Sequence, residues 1–367
     1  MQPNLARRFS MIQKAMREAE LDFLIVNNRE NLIYLTGLID IECLAVLIPR
    51  EASPCVVTLW LDADYIEQQT GIKTCGYRFP QGSLAANLIE KIQSYGVGKP
   101  KIGFERYFVG FSLYDELRGA FDERDFLNAS DLFYRTRAIK DNSEIDYMRQ
   151  AGQLVDLGMA AAVSSMACGV TELDVLAEAE FAMLKAGSGG SPFRPQVVSG
   201  NRTLLTHPCA SEKKVASGEV VVVHLGATFR GYCAKSCRTV VVGEVGTGVR
   251  KTYELLLQAQ MAALKVLRPG KTVGEVDAAA RKVICEAGLS EYFLDIIGYG
   301  VGIRQSEFFP IIGKGRTEIV QAGMVVDLLL STIYRLDIGG PRVTDCILVG
   351  EECNEWLTNY PRQLIEK

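Results

Sequence analysis

Several side chains with catalytic or binding chemistry lie at the ends of apolar segments in the second half of this 367-residue chain. They include both of its histidines, and they are His207, His224, Lys235, Cys237, Tyr299, Glu307, Asp327 and Arg342. A histidine can act as a general acid or base near neutral pH, a cysteine as a nucleophile, and an arginine as a planar clamp for a carboxylate or phosphate. Two histidines are too few for a histidine-rich metal site.

The segment 220–243 carries three of these candidates. It reads VVVVHLGATFRGYCAKSCRTVVVG, an apolar run followed by a turn at 229–232 and a return strand, and this pattern predicts a β-hairpin. Because alternate residues of a strand face the same side, Lys235 and Cys237 are expected to share one face.

Two domains are predicted. Residues 1–134 alternate helix and strand signals, which is typical of an α/β domain, and they contain no phosphate loop or nucleophile elbow. The expected strands are Asp22–Val26, Cys43–Ile48, Pro54–Leu59, Lys101–Phe104 and Asp125–Asn128, and the expected helices are Arg7–Glu20 and Leu84–Tyr95. The second domain, 135–367, is predicted to begin with a helix that Asn142 or Ser143 caps and that runs to about Met166.

The second domain contains an internal repeat. Residues 169–187 align without gaps with residues 270–288, and seven of 19 positions are identical. Each copy has a threonine near a predicted helix start and a glycine after its end, and another predicted helix precedes each copy. This repeat predicts an α/β domain with two-fold pseudosymmetry.

The hairpin resembles the metal-binding hairpin of the M24 peptidases, the family of aminopeptidase P, prolidase and creatinase. In that family the pattern is Asp-x-Gly, a Gly-Tyr turn, and a second Asp shortly before Arg-Thr. The matching residues here are Gly226, Gly231, Tyr232, Arg238 and Thr239. The stretch 134–149 is also similar to the family's domain junction. The resemblance covers nearly the whole chain and implies an N-terminal creatinase-like α/β domain followed by a pseudosymmetric pita-bread domain.

The resemblance also implies a site for two divalent metals, held by two Asp, one His and two Glu. The corresponding positions in this chain are His224, Lys235, Tyr299, Leu329 and Thr344. We therefore expect no metal and no other cofactor. The family frame retains His207 as a proton shuttle beside the substrate, and it retains Glu307, while Ser306 takes the place of the family's second substrate-facing histidine.

A pocket is expected where these positions meet. Strand alternation places in it His224, Lys235, Cys237, Tyr299, Asp327 and Arg342, with His207 at the rim. If Lys235 forms an ion pair with Asp327, Arg342 is the charge left for a ligand with an anionic group. Two alternatives stay open: His224 is a core histidine, and Arg342 pairs internally with Asp345 or Glu307.

Three functions are compatible with these observations. The first is an M24 homologue that binds a small anionic ligand or a partner without metallopeptidase activity. The second is a metal-independent hydrolase of a C–N bond, of the creatinase type, that uses His207. The third is the Xaa-Pro aminopeptidase or dipeptidase activity that the family name implies.

The bulk composition and the N-terminal sequence bear on the classes of partner and on the cellular location. The formal net charge of −4 gives no reason to expect nucleic-acid binding. No apolar run approaches the roughly 20 residues of a membrane span, and the N-terminus is an amphipathic helix rather than a signal peptide, so we expect a cytoplasmic protein. The resemblance implies a homodimer.

Overall fold

The computed structural model describes residues 3–42, 44–105, 110–329 and 333–367. The chain divides into two compact units, Met1–Arg137 and Ala138–Lys367. Both units combine helices with sheets, as the α/β composition of the sequence predicts.

The first unit is built on a six-stranded mixed sheet with the order β4-β3-β2-β1-β5-β6. Its strands are β1 (Phe23–Val26), β2 (Ala45–Pro49), β3 (Cys55–Leu59), β4 (Lys73–Tyr77), β5 (Ile102–Phe104) and β6 (Phe126–Asn128). Its helices are α1 (Pro3–Glu18), α2 (Arg29–Thr36), α3 (Trp60–Thr70), α4 (Leu84–Gln93), α5 (Phe111–Ala120) and α6 (Ser130–Thr136). The five predicted strands are present, although β2 begins at Ala45 and Cys43 lies outside the described residues.

The second unit contains two sheets, with the strand orders β11-β10-β12-β13-β14 and β15-β9-β8-β7. Its strands are β7 (Gln196–Ser199), β8 (Val220–Phe229), β9 (Tyr232–Val241), β10 (Ile296–Gly300), β11 (Glu307–Gly313), β12 (Val325–Leu328), β13 (Asp345–Leu348), β14 (Glu355–Trp356) and β15 (Ile365–Glu366). Its helices are α7 (Asn142–Ser165), α8 (Glu172–Lys185), α9 (Thr247–Val266) and α10 (Val273–Glu286). The sheets meet where Cys237 and Thr344 exchange two backbone hydrogen bonds of 3.0 and 3.2 Å.

The internal repeat forms two matching helices. Each bound of α8 lies 101 residues before the corresponding bound of α10. Thr171 and Thr272 are the N-caps, and each forms a capping box with an acidic residue three positions later. The pseudosymmetry that the repeat predicts is therefore present at the level of single hydrogen bonds.

One predicted helix cap is wrong. The N-cap of α7 is Asp141, whose carboxylate accepts a hydrogen bond from the Glu144 backbone N–H, whereas the prediction was Asn142 or Ser143. Aspartate is as good a cap as asparagine or serine, and the reciprocal contact from Glu144 decides between adjacent candidates.

The predicted hairpin is present as β8 and β9. Phe229 pairs with Tyr232 across a two-residue turn, in which Arg230 and Gly231 have φ values of 50° and 82°. Positive φ at both turn residues matches the twist of the two strands. In the described part of the chain, helices of the length and apolarity that a bilayer crossing requires are absent.

Candidate functional site

A cavity of about 860 Å³ lies in the second unit. One part of its lining comes from the residues around β7 and β8 and from Arg342, and another comes from residues 294–308. The lining residues are Phe193, Arg194, Gln196, Thr206, His207, Pro208, His224, Leu294, Asp295, Ile296, Tyr299, Arg304, Gln305, Ser306, Glu307, Phe308, Tyr334 and Arg342. The volume is sufficient for a small-molecule ligand.

The strand β8 of the hairpin packs in an apolar cluster at one end and lines the cavity further along. Val220 and Val222 pack in an apolar cluster together with Cys237. Two residues beyond Val222, His224 lines the cavity, and its ring lies 4.7 Å from the ring of Phe193, measured between centroids. The same run of alternating residues thus forms core at one end and ligand-accessible wall at the other.

Lys235 and Asp327 form the predicted ion pair. The Lys235 Nζ lies 2.5 Å from Asp327 Oδ2, and the two side chains are only 1% and 0% exposed. The ammonium also donates to Gln305 Oε1 at 3.2 Å and to Ser306 Oγ at 3.1 Å. The buried ammonium is therefore compensated by one ion pair and two hydrogen bonds.

This ion pair lies behind the cavity lining. Gln305 and Ser306 line the cavity, whereas Lys235 and Asp327 do not. The expectation that these two residues face the pocket is therefore wrong, because the covering residues come from the segment before β11, which strand alternation does not describe.

Contacts with the backbone of β10 also hold Asp327 in position. Its Oδ1 accepts a hydrogen bond from the Tyr299 backbone N–H. A Cβ at Gly298 would lie 2.3 Å from the Asp327 carbonyl oxygen, so only glycine permits this approach. Burial raises the pKa of Asp327, and the ammonium of Lys235 opposes that effect.

His224 is a neutral, buried histidine at the cavity wall. Burial lowers its pKa well below the usual value, and the positive charges of Lys235 and Arg342 act in the same direction. The Nε2 atom is buried and has no hydrogen-bond partner among the described residues. A buried polar atom without a partner costs about 1–3 kcal/mol, and a ligand that supplies the missing hydrogen bond removes that cost.

Arg342 is also buried at the cavity wall, at 6% exposure. Its Nη1 donates to Gln196 Oε1 at 3.3 Å, and its Nη2 donates to the Leu205 carbonyl at 3.0 Å. Its Nε is buried without a partner, and no carboxylate in the described ranges forms an ion pair with it. Asp345, the expected internal partner, is instead paired with Arg238 and Arg362.

Three further predicted positions lie in the protein interior. Cys237 packs against valines in the apolar cluster, and burial raises the pKa of its thiol to about 12, so its predicted place in the pocket is wrong. Leu329 belongs to the main core and has a φ of 64°. Thr344 is fully buried, and its Oγ1 donates to the Leu329 carbonyl at 2.9 Å.

His207, Tyr299 and Glu307 line the cavity. His207 is exposed, in keeping with its predicted place at the rim, and Tyr299 is half-buried. Glu307 is buried and accepts a hydrogen bond from the Arg304 backbone N–H at 3.3 Å. The roles that the sequence suggests for these residues stay predictions.

Sequence reasoning missed much of the cavity wall, including Phe193, Arg194, Gln196 and Tyr334. The signal that was present is the apolar segment QVVS, which forms β7. Gln196 pairs with His224 in the register between β7 and β8, so a predicted pairing of these strands would have placed Gln196 at the site.

The donor atoms at this site can be compared with those of a metal site. Five positions correspond to the family's metal ligands, namely His224, Lys235, Tyr299, Leu329 and Thr344. They supply one imidazole, one ammonium, one phenol, one aliphatic side chain and one hydroxyl. The carboxylate of Asp327 lies nearby, and it is already paired with the Lys235 ammonium. Across residues 3–42, 44–105, 110–329 and 333–367, no three His, Cys, Asp or Glu side chains are grouped as metal ligands would be.

Comparison with known proteins identifies the class. Residues 146–351 match the metallopeptidase family M24, and residues 8–139 match the creatinase/prolidase N-terminal domain. The chain therefore belongs to the M24 family, with the creatinase-like domain first and the pita-bread domain second.

Several of the relatives that resemble this chain are named as dipeptidases. An Xaa-Pro dipeptidase from Pyrococcus horikoshii is 28% identical, with 95% of this chain and 96% of that protein covered. A probable dipeptidase PepE from Mycobacterium bovis is 30% identical over 98% and 96% of the two chains. The solved structure of an Xaa-Pro dipeptidase from Bacillus anthracis has a TM-score of 0.92 and 30% identity, and the alignment covers 99% and 100% of the two chains.

Proposed function

We propose that this M24 protein binds a small peptide-like molecule with an anionic group in its cavity, and does so without two-metal peptidase chemistry. The observation that carries the proposal is Arg342, a buried guanidinium that lines the cavity and has no carboxylate partner in the described residues. A guanidinium in that state favours a carboxylate ligand because the two groups match in charge and in planar geometry.

The donor set supports the second half of the proposal. Two divalent cations need several converging carboxylates, and a lysine ammonium at one of the positions repels them. Lys235 is held there by its ion pair with Asp327 and by two hydrogen bonds, so it does not move away without leaving Asp327 buried and unpaired. The residues present therefore do not fit a pair of divalent metals, and we derive no step through them.

Xaa-Pro dipeptidase activity is the second candidate, because relatives that match almost the whole chain carry that name. This activity requires that the site activate water without a pair of divalent metals. His207, an exposed imidazole at the cavity, is the candidate for proton transfer, and a metal-independent C–N hydrolase is therefore the form that such an activity would take. The cytoplasmic location stays a prediction.

Calorimetry and product analysis with glycyl-proline separate these functions. We expect binding that Arg342→Gln weakens about tenfold or more and that His207→Ala weakens less, with no free proline released. Arg268→Gln, an exposed arginine at the end of α9, is the matched control. Proline release that EDTA abolishes would establish the metallopeptidase, and proline release that resists EDTA but is lost in His207→Ala would establish the metal-independent hydrolase.

A further inference from the structure

A second arginine without a carboxylate partner lines the same cavity. Arg194 lies two residues before β7, and its Nη1 donates to the thiol sulfur of Cys209 at 2.8 Å. No ion pair joins Arg194 to a carboxylate in the portions of the chain that the structure describes. Its charge is therefore available to a ligand.

Gln196 contacts Arg342 and lies near Arg194 along the chain. It accepts the Arg342 hydrogen bond, it is paired in register with His224, and it stands two residues after Arg194 along the chain. Arg194, Gln196, His224 and Arg342 all line the cavity. The cavity lining therefore includes two arginines without a carboxylate partner among the described residues, together with His224.

The lining residues of the segment 294–308 carry charges of both signs. Asp295 and Glu307 contribute carboxylates there, and Arg304 contributes one guanidinium. In the described residues neither carboxylate forms an ion pair with Arg194 or Arg342.

We infer that the ligand carries two negative charges at one end, as a dicarboxylate or a phosphate monoester does. Arg342 binds one charged group from the buried side, and Arg194 binds the second from the exposed side. This inference rests on the proposed function and adds the charge class of the ligand. A single carboxylate would satisfy Arg342 and leave Arg194 with its contact to the Cys209 sulfur and no anionic partner.

Two ligand pairs test the inference, and the first pair is matched in size. Glycyl-glutamate and glycyl-glutamine differ by one negative charge, and phosphoserine and serine separate the phosphate source from the dicarboxylate source. We expect the charged member of at least one pair to bind about tenfold more tightly in calorimetry. Arg194→Gln removes that preference without changing the affinity for glycyl-glutamine, and Arg268→Gln leaves the preference intact.

The possible results separate the two claims. Equal affinity for the charged and neutral members overturns the dianion inference while the proposed function stands. A preference that persists in Arg194→Gln also overturns it, because the second charge is then bound elsewhere. If no carboxylate-bearing ligand binds and Arg342→Gln has no effect, the proposed function fails as well.

Discussion

Replacing Lys235 by methionine leaves Asp327 buried without its ion-pair partner. The two side chains are 1% and 0% exposed and their charged atoms lie 2.5 Å apart, so water does not compensate for the lost contact. Breaking a buried pair from one side costs about 3–5 kcal/mol. For a unit the size of residues 138–367, each kcal/mol lowers the melting temperature by about 2–4 °C, so we expect Lys235→Met to lower it by about 6–20 °C.

Neutralising both partners should restore much of that loss. In Lys235→Met/Asp327→Asn no charge is buried, and the asparagine oxygen still accepts the hydrogen bond from the Tyr299 backbone N–H. We expect the double variant to unfold at a higher temperature than Lys235→Met, with a coupling free energy above about 2 kcal/mol. Differential scanning calorimetry of both single variants and the double variant measures this coupling.

The pH dependence gives a second check on the same variant. Burial raises the pKa of Asp327, and without Lys235 only backbone hydrogen bonds, including the one from the Tyr299 N–H, oppose that effect. The stability deficit of Lys235→Met should therefore be largest at high pH and should shrink as the pH falls, because protonation removes the unpaired charge. Lys271→Met, which breaks an exposed ion pair with Glu275, is the control and should show no resolvable change. If the stability losses of Lys235→Met and Asp327→Asn simply add in the double variant, the two side chains are not coupled and the argument from the buried ion pair is refuted.

Three further predictions follow from the site and the family. Purified protein should contain no stoichiometric manganese, cobalt or zinc and should keep its melting temperature in EDTA; elemental analysis that finds about two metal equivalents would contradict this. The stability contributed by neutral His224 should be present above about pH 6.5 and should fall by up to about 1.4 kcal/mol per pH unit below it, because its folded pKa lies below the unfolded value. His224→Gln should flatten that part of the stability profile, and an unchanged slope would argue against a buried neutral imidazole. Light scattering should show a homodimer, and a stable species near 40.4 kDa at micromolar concentration would refute it.

Much of the scaffold could be predicted because its signals are local. The hairpin turn at Arg230 and Gly231 and the repeated helices α8 and α10 each follow from residues a few positions apart. Helix limits were less certain where neighbouring residues all suit the same role, as Asp141 shows at the start of α7.

The site could be predicted only in part, because alternation gives the face of a residue and not its depth. Lys235 and Cys237 share a strand face, yet one lies behind Gln305 and Ser306 and the other lies in an apolar cluster. Arg194 was missed for a related reason: its place at the cavity depends on how β7 pairs with β8, which no short-range pattern specifies.

The paired capping boxes also separate the architecture of the second unit from its chemistry. Gly169 and Gly270 donate backbone hydrogen bonds to Val215 and Val320, so the two halves repeat the same local connections. None of these residues lines the cavity. The side chains of the cavity lining can therefore be replaced while the repeated framework stays in place. This makes the unit suitable for engineering a new ligand specificity without redesigning the fold.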